Sequence, residues 1–358
     1  MARELGLGGT ERQLAEIAAS LDRDEFEAHV GCFTGGGFRA EELRAAGVPI
    51  LELGVKSFVS GSAVAGARKM GAYLRAHGIR LVHAFDVPMD LFAVPVARWY
   101  GAPVVLASQR AHRALTPGMT RRLLRVMDRI ADGIVVNSRA VGRELAAEDG
   151  VAEAKVRLAY NGVDTERFTR AGATAELAWA GEGRVVIGAI CALRPEKGLE
   201  TLLEAFGRVR AGRPGIELLI VGSGPMLGAL QARAGAGCHF QEAVADVAPW
   251  LRAMDVFVLP SLSEALSNSL MEAMACGCCA VASAVGGNPE LVEEGKTGLL
   301  FPAGDAGALA ARLEKLVEDR ELRRGLAENS ARAMRERFTR AMAAQRMGGI
   351  YREFLEGK

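Results

Sequence analysis

The chain has 358 residues and a net charge of +1 at pH 7, and half of its residues are hydrophobic. This length is sufficient for two domains with separate cores, and the small net charge excludes a strong general preference for nucleic acid or acidic partners. No apolar run reaches the ~18 residues that a membrane-spanning helix needs, and the amino terminus lacks the apolar stretch of a signal peptide. We therefore expect a cytoplasmic location.

Short strand-like runs alternate with helical patterns along the chain, which predicts α/β units and parallel sheets. In the first half the predicted strands are 28–33, 49–51, 81–84, 104–107, 134–137 and 156–160. In the second half they are 185–190, 216–221, 256–259, 280–283 and 299–301. A stretch with several glycines and no clean period, 164–183, separates the halves, and we place the boundary near residue 170. A terminal helix over 331–355 is predicted to break near residues 348–349.

The amino-terminal segment begins almost directly at a glycine turn that contains Gly8 and Gly9. Thr10 is predicted to cap the helix that follows, with Gln13 at the reciprocal capping position. In a doubly wound sheet such a turn follows a central strand, and here only Leu5 is an apolar candidate for that strand. We therefore expect the native chain to begin further upstream.

The segment SEALSNSLMEAMACG holds two glutamates, Glu264 and Glu272, after the predicted strand 256–259. Ser267 is predicted to cap a helix that ends before Gly277, so Glu264 lies in the loop and Glu272 in the helix. Open α/β sheets bind ligands at the carboxyl ends of their strands, and a helix amino terminus favours anions. The alternative is a pair of solvated glutamates on a surface helix.

Two further loops in the second half carry candidate ligand-binding residues. Arg194 and Lys197 follow the predicted strand 185–190, and two cations at such a turn suit a diphosphate. Gly222 and Gly224 follow the strand 216–221, where the absence of a side chain lets the backbone approach a ligand closely. The alternatives are a solvated basic loop and an ordinary tight turn. Taken together with the first glycine turn, these groups suit a nucleotide diphosphate in an interdomain cleft.

These segments, together with LGLGGTERQL, NGVDTERF and AVGGNPELVEEGKTGLLF, resemble the retaining glycosyltransferases of family 4, which carry an E-x7-E motif and have the GT-B fold. The resemblance covers nearly the whole chain. It implies two Rossmann-like doubly wound parallel-sheet domains that face each other across a cleft. They would be an acceptor-binding domain over 1–170, whose first strand is truncated, and a nucleotide-sugar-binding domain over 171–335. The terminal helix, 336–358, would cross back to the first domain.

The resemblance also implies roles in binding a nucleotide-sugar donor, most often a UDP-sugar, without a metal or other cofactor. Glu264 would bind a hydroxyl of the donor sugar, Glu272 the ribose hydroxyls, and Lys197 the departing diphosphate. The base pocket would be lined near Phe240 and Val244. The remaining residues of the implied donor site are Gly8, Gly9, Arg194, Gly222, Gly224, Ala265, Leu266, Ser267 and Asn268.

The sequence departs from the family pattern at three positions. Ala192 stands where the family usually has an arginine, and Arg194 is the candidate replacement. Ala265 stands where a glycine is usual. Arg110 lies near the place of a histidine beside the sugar, which makes it a candidate catalytic residue. His83 is the other candidate, and its alternative role is a hydrogen-bonded core histidine.

The acceptor is the least defined part of the prediction. The candidate acceptor-binding residues are Phe58, Asp86, Arg110 and His112. Six arginines and one acid lie between Arg110 and Arg129, in a basic amphipathic pattern that also includes Leu115. This stretch predicts a surface that binds anionic lipid or a phosphate-bearing acceptor. Binding to lipid would bring the protein to the inner membrane face as a peripheral protein. The alternative is the solvated face of a core helix.

We expect transfer of a hexose-type sugar from a nucleotide diphosphate sugar to an acceptor hydroxyl of a glycan, a lipid-linked sugar or a small molecule, as in polysaccharide biosynthesis. The reaction would be a front-face displacement, because the two glutamates are assigned to binding and no carboxylate nucleophile is well placed. The resemblance implies that it needs no metal. The alternatives are a sugar-nucleotide epimerase with the GT-B fold and a catalytically impaired membrane-surface protein.

Overall fold

The computed structural model of the protein describes residues 1–6, 8–113, 116–179, 181 and 183–358. The chain forms two compact units. Unit 1 comprises Met1–Gly162 and Arg340–Lys358, and unit 2 comprises Val163–Thr339. The boundary predicted near residue 170 lies eight residues after Gly162, where the first part of unit 1 ends, and the boundary predicted at 335 lies four residues before Thr339, where unit 2 ends.

Unit 1 alternates strands with helices. Its first part contains α1 (Gly9–Ser20), β1 (Val30–Cys32), α2 (Phe38–Ala45), β2 (Ile50–Glu52), α3 (Gly61–Ala76), β3 (Leu81–His83), α4 (Val87–Trp99), β4 (Val104–Gln109), α5 (Gly118–Ile130), β5 (Gly133–Val136), α6 (Arg139–Asp149) and β6 (Val156–Leu158). The strands β1 and β2 pair in parallel, and β3, β4, β5 and β6 form a parallel sheet in that order.

Residues 1–3 lie between the two sheets of unit 1. Ala2 forms a parallel bridge with Cys32 of β1, and the backbone N–H of Phe85, just after β3, donates to the Met1 carbonyl at 2.9 Å. This short segment therefore lies at the position of the central strand expected before the glycine turn. Leu5, the apolar residue singled out for that strand, is fully buried.

A cavity of about 330 Å³ lies in unit 1 near the amino ends of β1 and β3. Its walls include Leu14 and Ile17 of α1 and Tyr73 and His77 of α3. Rossmann-like sheets bind ligands at the opposite edge, where the strands end. The lining nevertheless reaches His83 and Phe85 at the carboxyl end of β3.

Unit 2 is a second α/β layer structure. It contains β7 (Val185–Ile190), α7 (Leu199–Ala211), β8 (Ile216–Val221), α8 (Leu227–Arg233), β9 (Cys238–Gln241), α9 (Ala248–Arg252), β10 (Val256–Leu259), α10 (Asn268–Ala275), β11 (Cys279–Ser283), α11 (Asn288–Leu291), β12 (Leu299–Phe301), α12 (Ala306–Glu318) and α13 (Arg320–Arg337). All strand pairs are parallel, in the order β12-β11-β10-β7-β8-β9. Read from β9, this is the 3-2-1-4-5-6 order of a Rossmann sheet.

The core of unit 2 forms where helix α7 packs on the sheet. Leu199, Leu202, Leu203 and Phe206 recur at helical spacing and are all buried in one cluster with residues of the central strands. A stripe at this spacing lies on one face of a helix, so burying it fixes α7 against the sheet. This position directs the loop before α7 to the carboxyl edge of β7.

All eleven strands predicted from the sequence are present, and several have the predicted bounds. The sequence missed β9, whose residues are all half-buried and which lies at the edge of its sheet. An edge strand of this kind has neither a continuous apolar run nor a clear alternation of apolar and polar residues. Its pairing with β8 therefore left no pattern in the sequence.

The prediction for the last helix was partly wrong. The chain breaks at residues 338–339, between α13 and α14 (Arg340–Glu356), and α14 continues through the two glycines. Phe338 is buried and Thr339 pairs with Val163, so tertiary contacts stop α13 at this point. In unit 1, α14 contributes Met347 and Tyr351 to the core that also contains α1.

Candidate active site

The candidate site lies at the carboxyl ends of β7 and β10 in unit 2. These strands are neighbours in the sheet, yet the chain leaves β7 toward β8 on one side and leaves β10 toward β11 on the other. A crevice opens at such a topological switch point, and doubly wound sheets bind their ligands there. The loops that follow β7 and β10 carry the predicted residues Lys197 and Glu264.

The loop after β7 packs closely against the loop after β10. A short 3-10 helix, Pro195–Lys197, ends at Gly198, which has a φ of 62°. A Cβ at Gly198 would come within 2.2 Å of the Pro260 carbonyl oxygen, so only glycine fits here. The Leu262 N–H donates to the Glu196 carbonyl at 2.8 Å. The backbone thereby sets the distance between the two side chains of the site.

Lys197 and Glu264 form an ion pair, with Lys197 Nζ 2.7 Å from Glu264 Oε2. The Ser261 hydroxyl donates to the same carboxylate oxygen at 3.1 Å. The two side chains keep 22% and 13% of their surface exposed, so a ligand has access to a cation that the protein already holds in place. A cation held beside the site in this way can exchange its carboxylate partner for a bound anion.

Helix α10 begins as the sequence predicted. The Ser267 side chain accepts from the Leu270 N–H at 3.3 Å, and Gly277 follows the helix with a φ of 76°. Glu272 lies on the second turn and is only 4% exposed, so it is not a solvated surface glutamate. The two glutamates are thus divided between the loop and the helix, as expected.

Two polar residues that the sequence reasoning did not assign support this loop. Ser283 donates its hydroxyl to the Ser261 carbonyl at 2.6 Å, and the Asn288 side-chain amide donates to the Ser283 carbonyl at 3.0 Å. Both residues are fully buried. Asn288 belongs to AVGGNPELVEEGKTGLLF, one of the segments that carry the family resemblance, but the sequence alone did not indicate its supporting role.

Gly222 and Gly224 have a structural role within unit 2. Their φ values are 155° and 158°. A Cβ at Gly222 would lie 1.9 Å from the Cys191 carbonyl oxygen, and one at Gly224 would lie 2.5 Å from that of Leu193. The two glycines therefore allow the backbone to pack closely against the loop after β7. Contact of either glycine with a ligand stays a prediction.

The remaining donor-site residues of unit 2 are placed as follows. Arg194 is exposed and forms no side-chain hydrogen bond or ion pair with the residues that the structure describes. Phe240, at the end of β9, packs partly against the unit 2 core, and Val244 is half-buried. Ala265 and Leu266 are buried, and the Ala265 carbonyl accepts from the Gly287 N–H at 2.9 Å. Asn268 is the first residue of α10.

In unit 1 the glycine turn differs from the prediction. The N-cap of α1 is Gly8, Gly9 is the first helical residue, and no side chain caps the helix, so the Thr10 capping prediction was wrong. Gln13 is buried instead, and its side chain both donates to and accepts from the Gly162 backbone at 2.9 Å. A residue committed to this long-range contact cannot complete a local capping box. Donor contact by Gly8 and Gly9 stays a prediction.

His83 is buried at the end of β3 with both ring nitrogens engaged. Nδ1 lies 2.9 Å from the Tyr351 hydroxyl and Nε2 lies 2.8 Å from the Ser108 hydroxyl. Burial lowers the pKa of His83 well below its ordinary value, with the amino terminus and Arg110 contributing further. These contacts favour the core-histidine alternative, and a catalytic role for His83 stays a prediction.

The candidate acceptor residues of unit 1 have different environments. Asp86 caps α4, accepting from the Met89 N–H at 2.9 Å, and burial raises the pKa of its carboxyl. His112 pairs with Glu144. Phe58 is 49% exposed and stacks on Phe92, with ring centroids 6.4 Å apart. Arg110 follows β4 and donates to the Asn161 side-chain oxygen.

Comparison with known proteins places both units in one group of enzymes. A family model described as Glycosyltransferase Family 4 matches residues 7–167, and one described as Glycosyl transferases group 1 matches residues 184–319. A GDP-mannose-dependent alpha-(1-6)-phosphatidylinositol monomannoside mannosyltransferase of Mycolicibacterium smegmatis is 32% identical over 274 residues, which cover 71% of each chain. The chain belongs to the group 1, family 4 glycosyltransferases.

Two further proteins are similar to this chain over different lengths. Sulfoquinovosyl transferase SQD2 of Arabidopsis thaliana is 29% identical over 267 residues, and the match spans 68% of this chain but about half, 51%, of the plant protein. The crystal structure of Anabaena HepE in complex with UDP superposes with a TM-score of 0.83 at 21% identity, covering 98% of both chains. The structural likeness confirms a GT-B fold with two Rossmann-like domains.

The packing of Gly222 generates a stability prediction. We expect Gly222→Ala to lower the free energy of unfolding of unit 2 by about 2 kcal/mol or more, because the new methyl group meets backbone at a positive φ. Gly207→Ala, in the middle of α7 with open space around its Cα, is the control and should stabilise by about 0.4–1 kcal/mol. Urea denaturation followed by circular dichroism measures both, and equal effects would contradict the packing argument.

The burial of His83 predicts how the free energy of unfolding depends on pH. Its native pKa lies below that of the unfolded chain, so this group contributes stability above about pH 6.5 that is lost as the pH falls. The loss attributable to His83 should approach about 1.4 kcal/mol per pH unit below that point. His83→Gln should flatten the pH dependence of the unit 1 unfolding transition between pH 7.5 and 5.5. An unchanged slope would show that His83 binds a proton equally readily in the native and unfolded states, and would contradict the lowered pKa.

Proposed function

We propose that the protein transfers a hexose-type sugar from a nucleoside diphosphate sugar to an acceptor hydroxyl, with retention of the anomeric configuration and without a metal ion. The observation that carries the proposal is the Lys197–Glu264 ion pair at the switch point of the unit 2 sheet. A cation and a carboxylate at this position suit a ligand that carries both a diphosphate and sugar hydroxyls. Membership of the glycosyltransferase family supports the same reaction.

In this proposal Lys197 and the first turn of α10 neutralise the diphosphate. The ammonium of Lys197 leaves Glu264 to contact the diphosphate, and the Glu264 carboxylate accepts a hydrogen bond from a sugar hydroxyl. Glu272 is buried beside the helix start and binds the ribose hydroxyls. Because positive charge comes from a side chain and from backbone amides, the leaving group needs no metal ion to stabilise it.

The proposed displacement takes place on one face of the sugar ring. The bond between the anomeric carbon and the diphosphate oxygen breaks, and the acceptor oxygen forms its bond on the same face. The acceptor proton passes to the departing phosphate oxygen, so no protein carboxylate forms a covalent intermediate. This assignment is consistent with the engagement of Glu264 by Lys197 and Ser261, which suits a binding group better than a nucleophile.

We propose a UDP-sugar as the donor, supported by the structural likeness to HepE, which was crystallised with UDP. The name of the mycobacterial relative specifies GDP-mannose instead. Thermal unfolding with UDP, GDP, ADP and their sugars distinguishes these donors, because a ligand that binds the native state raises its melting temperature. A larger shift with GDP than with UDP would contradict the UDP assignment.

We expect Lys197→Ala to lower kcat by about 10²–10³, because it removes one donor to the departing diphosphate. The control is Lys296→Ala, an exposed lysine of unit 2 whose side chain contacts only Glu293 in the described part of the chain. Product analysis by NMR reports both the rate and the anomeric configuration of the product. Full turnover by Lys197→Ala would contradict its assigned role.

The same assay tests the other parts of the proposal. Turnover should persist in EDTA, and the sugar should appear on an acceptor with its configuration retained. Conversion of a nucleotide-sugar without any acceptor would indicate an epimerase instead. Failure to bind any nucleotide would indicate a catalytically impaired protein.

We further propose that helix α5 associates with an anionic membrane surface. Its exposed face holds Met119, Leu123 and Val126, together with Arg122 and Arg129, which form no ion pair in the described part of the chain. Apolar residues flanked by arginines suit the interface of an anionic bilayer. Among the described residues no helix has the length and hydropathy to cross a membrane.

The basic character of this surface is weaker than the sequence indicated. Arg113 is buried against Asp128, and Arg121 and Arg125 both contact Asp149. Arg110 is also largely covered, and Leu115 lies outside the described residues. Membrane association therefore depends on the apolar residues as much as on the two unpaired arginines.

We expect the protein to co-sediment with vesicles containing phosphatidylglycerol more than with pure phosphatidylcholine vesicles. Leu123→Asp should weaken this binding by about tenfold to a hundredfold, since it removes an apolar side chain that contributes about 1.5–3 kcal/mol on burial. Val59→Asp is the control, because Val59 is 97% exposed in unit 1 and lies outside α5. Equal binding of both variants would exclude α5 as the contact.

A further inference from the structure

Arg110 is a cation that forms no ion pair with the described residues of unit 1. Its Nη2 donates to Asn161 Oδ1, whereas Nη1 is buried and has no hydrogen-bond partner among the residues described. The guanidinium carbon lies 5.4 Å from the centre of the Phe85 ring. Burial lowers the pKa of Arg110 to about 10, with only the Tyr351 hydroxyl acting in the opposite direction. The group therefore remains charged at neutral pH.

Arg110 is half-buried as a residue, whereas the two fully buried arginines in the described part of unit 1 are paired with acids. Arg113 is 2% exposed and donates to both carboxylate oxygens of Asp128, at 2.6 and 2.8 Å. Arg39 is 4% exposed and donates to both oxygens of Glu42 at 2.7 Å. Arg110 has no comparable partner, although a guanidinium fork is suited to bind a carboxylate or phosphate through two donors.

The position of Arg110 places this charge where a ligand is expected. It directly follows β4, the second strand of the β3-β4-β5-β6 sheet, at the carboxyl edge. Asn137 follows β5 at the neighbouring register position, since Gln109 pairs with Val136. Asn137 is 2% exposed, and its Oδ1 has no hydrogen-bond partner among the described residues. A donor hydroxyl on a bound molecule would satisfy this oxygen.

A buried cation without a counter-ion destabilises the folded state, because it has lost hydration without gaining an opposite charge. Such a cost persists in a protein when a ligand supplies the missing charge. We propose that Arg110, held by Asn161 and Phe85, binds a phosphate or carboxylate group of the acceptor molecule. This inference rests on the proposed function, since it specifies the acceptor as an anionic hydroxyl compound, such as a sugar phosphate.

Thermal unfolding with three probes tests the proposal at constant ionic strength maintained with sodium chloride. Inorganic phosphate and a hexose monophosphate should each raise the melting temperature of the wild type by about 2–4 °C. Arg110→Met should abolish both shifts and keep the shift caused by UDP. Arg143→Met, an exposed arginine of α6, is the matched control and should keep all three shifts.

The melting temperature of Arg110→Met without any ligand distinguishes an arginine that binds a ligand from one that stabilises the fold. In buffer without phosphate, Arg110→Met should melt above the wild type, because a buried unpaired charge is replaced by an apolar side chain of similar length. Should this variant not fold, Arg110→Lys replaces it. Lysine keeps the charge but loses the two-donor fork, so the phosphate shift should fall below that of the wild type while the UDP shift is kept.

Three outcomes would overturn the proposal. The first is that phosphate and hexose monophosphate raise the melting temperature of the wild type no more than sodium chloride does. Another is an unchanged phosphate shift in Arg110→Met or Arg110→Lys. The third is loss of the UDP shift with retention of the hexose monophosphate shift, which would assign Arg110 to the donor. If UDP does not raise the melting temperature of the wild type, but phosphate does so and Arg110→Met abolishes that shift, the proposed donor is refuted and this inference is still supported.

Discussion

The ion pair between Lys197 and Glu264 is the interaction on which the candidate site of unit 2 depends. It joins the loops after β7 and β10, the two strands that meet at the switch point of the sheet. In the protein alone, Glu264 holds the ammonium in place, and a diphosphate has to compete with that carboxylate. The pair therefore positions the cation. A diphosphate must interact with Lys197 more favourably than Glu264 does in order to replace it.

Close backbone packing keeps this pair in position. Gly198 contacts the Pro260 carbonyl, and Gly222 and Gly224 contact the loop after β7, so successive loops at the carboxyl edge support one another. Buried hydrogen bonds from Ser283 and Asn288 support the loop after β10 from the other side. Such contacts restrict loop motion, which is the structural basis of a prearranged electrostatic site.

Several buried polar groups of unit 1 have partners within the unit, and the contrast with Arg110 is informative. His83 has two hydroxyl partners, and Arg113 has a two-oxygen contact with Asp128. Arg110 differs because its charge has no acid beside it in the described residues. An unpaired guanidinium at the ligand-binding edge, in contrast to the acid-paired Arg113, indicates a role outside the fold itself.

The sequence by itself determined the alternation of strands and helices, the cap at Ser267 and the buried stripe of α7, because these depend on local spacing of apolar and capping residues. It also placed Lys197, Glu264 and Glu272 at strand ends. Only the tertiary structure decided which of these meet, since Lys197 and Glu264 are far apart along the chain. It likewise decided that Gln13 binds Gly162 instead of capping α1, that His83 is enclosed, that β9 pairs at an edge, and that α13 stops at Phe338. Each of these outcomes depends on a contact between distant segments, and such a contact leaves no periodic pattern in the sequence.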